Sequence, residues 1–351
     1  MFEFDYLTFP GNGVHTVKTA REKKISLIKK LYNTESLDEA QNLWKESYQS
    51  FDQADICILG VPSDSGAGIV RGSNWGPLVL REKIEQRYFD LGDVKVIPHL
   101  IDDRYLSEDA LVDLQRKNYN GKTLPVSALS ILKDVSSTFF KNSKTKKLLS
   151  LGGDHSISRP LCESFLEHHK DVGILHFDAH TDLMEERLGI STCFATWAFH
   201  IAKLLDNQKK FIQIGIRSSG ADKKHWESKI GLTQYWTKDV KTLGPEEIAS
   251  KCIEQYKSLG VKKLYLSFDI DAIDMEYASA TGTPEKDGLM PFECLVILNL
   301  ISQEIPIIAA DLVEVAPFVF YPEMKGKVVE PETTLDSALS IINFLFDHWR
   351  A

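Results

Sequence analysis

At 351 residues, 43% hydrophobic and 26% charged, the chain has the composition of a packed globular protein and the length for one large domain or two ordinary ones. Its formal charge of -9 is spread along the sequence without an acidic tail, which argues against a broad nucleic-acid surface. Five scattered cysteines with no CxxC pair exclude a disulfide framework and predict a reducing, cytoplasmic setting. No apolar run approaches the roughly 18 to 20 residues a membrane span needs, and the opening MFEFDYLTFPGNG lacks a basic-then-apolar leader, so neither secretion nor a membrane partner is expected.

In chain order, residues 1–53 hold a charged helical stretch (TAREKKISLIKKLYN) and SLDEAQNLWKESYQSF, and read as an N-terminal extension packed on the domain that follows, 54–351. Short apolar runs rich in β-branched residues then recur at 54–61, 146–153, 171–180, 209–217, 262–274 and 305–315, each of strand length. Helical patterns occupy 76–88, 126–141, 157–169, 194–206, 245–259, 291–303 and 333–348. Strand alternating with helix predicts a three-layer αβα fold with a mainly parallel sheet covered on both faces. No repeat, low-complexity segment or Gly/Ser linker breaks the pattern, so one catalytic domain is expected.

In such sheets ligands bind beyond the carboxyl ends of the strands. There the polar clusters fall: GGDHS closes one apolar run, DAHTD the next, DIDAID another and EVAP the last. Alternate residues of a strand share a face, so Asp178, His180 and Asp182 form one set and Asp269 and Asp271 a second. A lone Asp-Ile-Asp after a strand is ordinarily a turn or helix cap. Several carboxylates with imidazole on one rim, however, repel strongly unless cations neutralise them. Oxygen-rich ligation with one or two histidines suits Mn²⁺, and more ligands than one catalytic ion uses predicts two ions. His155 ends a Gly-Gly turn, where positive φ and close backbone approach are available, and joins the candidate ligands. His176 lies inside its strand and reads as a buried supporting histidine.

These motifs, with GVPSDSG (60–66), GPLVLR (76–81), TGTPEKDGL (281–289) and DLVEVAP (311–317), resemble the ureohydrolase superfamily of arginase, agmatinase, guanidinobutyrase and formimidoylglutamase, over residues 54–348. The resemblance implies an arginase-like fold and a hydrolase of C–N bonds in linear guanidino or amidino compounds. It implies His155, Asp178, Asp182 and Asp269 around one Mn²⁺ and Asp178, His180, Asp269 and Asp271 around the other. By the same resemblance, a metal-bridging hydroxide attacks the amidine carbon and Asp182 relays its proton to the leaving nitrogen. Glu314 matches the carboxylate that pairs with the substrate cation, and Thr283 a position near the substrate; blandly read, Thr283 stabilises a Gly-Pro turn. Asp154 is expected to brace the loop or a ligating histidine. Trimeric or hexameric homo-oligomers are implied as well.

The pattern breaks after the aspartate motif. Many relatives carry a loop histidine where this chain reads GISTCFATWAFH, with Phe194-Ala195-Thr196 in its place and His200 too far along to substitute. Phe194 and Trp197, three apart on the expected helix, suit packing more than recognition. The segment RSSGADKKHWESKIG (217–231) reads as a charged surface helix. Two rivals follow: a catalytically weak metal-binding scaffold protein, motivated by the absent histidine, and a single-metal deacetylase-like relative, which metal stoichiometry distinguishes.

Overall fold

A computed structural model describes residues 5–68, 70–319 and 322–351. Nine strands form one sheet: β1 (Leu7–Thr8), β2 (Ile56–Val61), β3 (Phe89–Val94), β4 (Lys147–Gly152), β5 (Val172–Phe177), β6 (Phe211–Ile214), β7 (Thr233–Tyr235), β8 (Lys263–Asp269) and β9 (Ile307–Val313). Their order is β1-β3-β2-β4-β9-β8-β5-β6-β7, parallel throughout except for β1, which runs antiparallel to β3. A small hairpin, β10 (Glu323–Met324) with β11 (Lys327–Val328), stands apart from it.

All six expected strands form. So do the seven expected helices, within the set α1 (Arg21–Tyr32), α2 (Leu37–Ser47), α3 (Gly76–Lys83), α4 (Glu108–Tyr119), α5 (Ala128–Asn142), α6 (Ser158–His168), α7 (Trp197–Leu204), α8 (Lys223–Ile230), α9 (Thr237–Leu243), α10 (Pro245–Ser258), α11 (Pro291–Glu304) and α12 (Pro331–Arg350). The charged segment 217–231 supplies α8, a surface helix with only Ile230 buried. The sequence pattern passes over β1, β3, β7, α4 and α9. β3 reads FDLGDV, with two aspartates and a glycine where a strand signature wants β-branched residues. α4 buries only Tyr119, so it shows no apolar stripe, and the Ser107 side chain caps it by accepting from the Ala110 N–H.

Strand alternation divides the core. Val172 and Ile174 face a cluster with Leu129 and Leu132 of α5, Leu161 of α6 and Trp197 of α7; Leu175 and Phe177 face another with Cys252 of α10, Ile297 of α11 and Ile341 of α12. Residues 1–4 lie outside the described residues. From the rest of 1–53, Leu7 pairs with Val94 in the sheet, and Phe9, Ile28 and Trp44 are buried in the first of these clusters. Among the described residues no helix is long and apolar enough to cross a membrane.

Candidate metal centre

Four strands end beside one another and deliver the polar groups. β4 runs into Gly153-Asp154-His155, where a Cβ on Gly153 would collide with the Ser63 backbone. The turn therefore uses glycine for close approach; neither Gly152 nor Gly153 adopts the positive φ that the Gly-Gly pair also permits. Asp154 accepts from Ser156 N–H at 2.8 Å and from Gly66 N–H at 2.8 Å, bracing the two loops on either side of His155. β5 ends in Phe177, and Asp178, His180 and Asp182 follow; Asp182 has φ 51°. Asp269 ends β8, its Oδ1 accepting from Asp271 N–H at 2.9 Å, and Glu314 follows β9 with φ 63°.

The seven residues named by sequence for metal and substrate cation converge. His155 is buried, and around its Nδ1 stand Asp178 Oδ2 at 3.2 Å, Asp182 Oδ2 at 3.2 Å and Asp269 Oδ2 at 3.1 Å. That nitrogen has no partner in hydrogen-bonding geometry. A second group lies beside it, with His180 Nδ1 at 3.4 Å from Asp178 Oδ1 and 3.1 Å from Asp271 Oδ2. Glu314 is buried and its Oε1 accepts from the His155 N–H at 2.9 Å, while Oε2 lies beside Gly282. Thr283 is the eighth: its hydroxyl donates to Asp271 Oδ2 at 2.9 Å.

Electrostatics mark the cluster as short of positive charge. Burial opposes ionisation of Asp269, and the neighbouring Asp271 and Asp178 push its pKa well above the carboxylate range. Asp182 is raised by burial and by Asp178. Burial would lower the pKa of His155, yet Asp178, Asp182 and Asp269 drive it well above its ordinary value. The protein attracts a proton to the point where three carboxylate oxygens and one imidazole nitrogen meet, and a divalent cation fits that donor set better than a single proton.

A row of buried polar residues crosses the sheet one layer beneath. Register pairs Gln234 with Gln213, Gln213 with His176, His176 with Ser267, Ser267 with Asp311 and Asp311 with Ser150. Ser267 and Tyr265 donate to Asp311 at 2.8 and 2.6 Å. With its proton so used, Ser267 Oγ accepts from His155 Nε2 at 3.0 Å, which turns the Nδ1 lone pair toward the carboxylates. His176 lies against the cluster: Nε2 meets Asp178 Oδ2 at 2.9 Å and Nδ1 meets Gln213 Nε2 at 2.9 Å, and its donor atoms also lie within 4.8 Å of those of His155 and Asp178. Sequence reasoning passed over Gln213, Gln234, Ser267 and Asp311; the available signal was a polar residue in phase with buried positions of an apolar strand, as in FIQI.

The loop that lacks the histidine departs from expectation. The helix starts at Trp197, after Phe194, so the two rings are not one helical pair. Trp197 is fully buried, lies against the rings of His155 and His176 with centroids at 4.8 and 4.7 Å, and donates from Nε1 to Asp182 Oδ2 at 3.0 Å. Phe194 is half-buried beside Gly68 with the Arg187 guanidinium 4.9 Å from its ring centroid, and His200 contacts the Glu185 carbonyl instead of the cluster.

Residues 54–327 match the family described as the Arginase family. The chain is 32% identical over 268 residues to the human mitochondrial guanidino acid hydrolase, covering 75% of this chain and 72% of that one. It is 30% identical over 276 residues to the mitochondrial agmatinase of Gallus gallus, covering 76% of each. The proclavaminate amidino hydrolase of Streptomyces clavuligerus superposes with a TM-score of 0.65 at 22% identity, covering 84% of this chain and 92% of that one, a likeness of fold. The family match, the two sequence likenesses and the shared parallel-sheet fold lead to one conclusion: the chain belongs to the arginase family, within the ureohydrolase superfamily.

Proposed function

We propose that the protein is a two-manganese hydrolase of C–N bonds in linear guanidino or amidino compounds. The observation that carries this reading is His155 Nδ1, buried and without a hydrogen-bond partner, with carboxylate oxygens of three aspartates at 3.1 to 3.2 Å. In this reading His155, Asp178, Asp182 and Asp269 hold one Mn²⁺, and Asp178, His180, Asp269 and Asp271 hold the other. The oxygen-rich set with two imidazoles favours Mn²⁺. The second donor group, His180 with Asp178 and Asp271, supports two ions over the single-metal deacetylase alternative. The names of the human and chicken relatives, which point to guanidino acids and agmatine, support the substrate class.

When bound, the ions would supply a water acidic enough to react near neutral pH and would offset charge on the oxygen that attacks the amidine carbon. The rest falls to the chain. Glu314 pairs with the planar substrate cation and fixes its carbon over the nucleophile. Burial, then Asp269 and Asp154, push the Glu314 carboxyl well above its usual range, a shift that a neighbouring cation opposes. Asp182, oriented by the Trp197 indole, takes the nucleophile's proton and passes it to the leaving nitrogen, releasing the amine and urea or a formamide-like product. Thr283, tied to Asp271, lines the substrate side.

The test is a metal count and a substrate panel. Protein reconstituted with Mn²⁺ should hold two ions per chain, Asp178→Ala should lose them, and one of arginine, agmatine, guanidinobutyrate or formiminoglutamate should be turned over. One ion per chain, or turnover of none, would sink the reading; the latter result favours the scaffold alternative. The same reading carries a trimeric or hexameric assembly, checked by sedimentation, and a reducing cytoplasmic compartment, supported by five buried free cysteines.

A further inference from the structure

Gln213 stands in the middle of β6, fully buried, where an apolar residue would pack. Its side chain joins two fixed points to the metal centre. The Trp236 indole can only donate, and it donates to Gln234 Oε1 at 2.9 Å. The other end of Gln234 is therefore its amide nitrogen, which donates to Gln213 Oε1 at 2.7 Å. Gln213 Nε2 in turn donates to the Thr181 carbonyl at 2.7 Å. A carbonyl can only accept, so the second fixed point demands the same orientation of the Gln213 amide as the first. One proton of that amide remains, and it points at His176 Nδ1, 2.9 Å away.

An imidazole that accepts at Nδ1 carries its proton at Nε2, and His176 Nε2 meets Asp178 Oδ2 at 2.9 Å. Asp178 Oδ1 accepts from the His180 N–H at 2.6 Å. Each oxygen of Asp178 thus has one lone pair bound by a fixed donor and another left over, the condition a carboxylate must meet to serve two cations at once.

We propose that Gln213, locked in one amide orientation by Trp236 through Gln234 and by the Thr181 carbonyl, is a positioning residue that sets the tautomer of His176 and so aims Asp178 at the metal ions. This role rests on the reading of Asp178 as a bridging ligand. It assigns a purpose to a polar chain that starts at the partly buried Trp236 just past β7 and that metal ligation alone does not explain.

Nitrogen NMR of the metal-free protein labelled in histidine, with His176 assigned from its loss in His176→Gln, reads the tautomer directly. Wild type should carry the proton on Nε2, and Gln213→Met, which keeps the volume and removes the donor, should lose that preference. Mn²⁺ affinity from chelator competition should fall about 10- to 100-fold in Gln213→Met, the range for lost outer-shell partners of a metal ligand. Should that variant fail to fold, Gln234→Met, which touches the centre only through Gln213, should weaken Mn²⁺ binding by at least about threefold. A wild-type proton on Nδ1, or unchanged affinity in the folded variant, overturns the role. Absence of Mn²⁺ binding in wild type overturns the metal reading itself, an outcome the unliganded tautomer measurement keeps distinct.

Discussion

Two of the buried clusters of charge among the described residues are solved differently. Under β1 and β3, Arg81 donates to Asp93 and Asp90 and to the Gly92 carbonyl, and Asp93 Oδ2 also accepts from the N–H groups of Gly11 and Gly13. A Cβ on Gly60 would collide with Asp93 and Arg81, so the guanidinium is held close against the strand, although its Nε is buried without a hydrogen-bond partner. At the carboxyl ends of β4, β5 and β8, four aspartates and two histidines gather; among the described residues no arginine or lysine pairs with these carboxylates, Arg217 donating instead to the Asp271 carbonyl, and His155 Nδ1 lacks a partner. The first cluster carries its cation in the chain; in the proposed reading the second takes its cation from solution. Buried carboxylates by themselves therefore do not mark a metal site; the missing covalent cation does.

Removing the internal cation should have the largest effect. Arg81→Met leaves Asp93 buried and unpaired, and denaturant unfolding should show a loss of about 3 to 5 kcal/mol that Mn²⁺ does not restore. The second cluster should respond in the opposite sense. Asp269→Asn removes a carboxyl whose ionisation burial and its neighbours oppose, so the metal-free protein should unfold at higher denaturant than wild type. With Mn²⁺ at a hundred times its Kd, wild type gains about 2.7 kcal/mol by mass action and the order reverses. If Asp269→Asn destabilises the metal-free protein as Arg81→Met does, the contrast between the clusters is wrong.

Ser267→Ala takes the acceptor from His155 Nε2 and should weaken Mn²⁺ about 10- to 100-fold in chelator competition; because it also takes a donor from buried Asp311, it should lower stability by about 1 to 3 kcal/mol. The smallest effect belongs to a group outside both clusters. Burial, then Lys263 and three more cationic neighbours, hold His169 down to about 4. Between pH 6.5 and about 4 the unfolded chain binds a proton that the folded state refuses, so stability falls as pH drops through that window and is flat above it. Allowing for solvent screening, the difference between wild type and His169→Phe should be about 1 to 2 kcal/mol across the window, read from urea midpoints.

Much of this was legible in the residues themselves. Six apolar runs of strand length alternate with amphipathic stretches, and a strand deep in a sheet covered on both faces has to be apolar, so β2, β4, β5, β6, β8 and β9 declare themselves. β3 and β7 do not, because FDLGDV serves Arg81 and TQY serves the polar row as much as either serves the sheet. The ligand candidates were visible for a local reason: Asp178, His180 and Asp182 sit at strand spacing just past an apolar run. Trp197 was not, because its contacts with His155 and Asp182 come from a loop that folds back across the strand ends.

The sequence by itself therefore determined the layered fold and the identity of the converging acids and imidazoles, since strand periodicity is a local property and several acids and imidazoles at the ends of successive strands repel one another unless a cation joins them. Only the tertiary structure decided which nitrogen of each histidine faces the centre and where the internal cation is missing. Those depend on register between strands far apart in the chain, which sets Ser267 beneath His155, Gln213 beside His176, and Arg81 in a different cluster altogether.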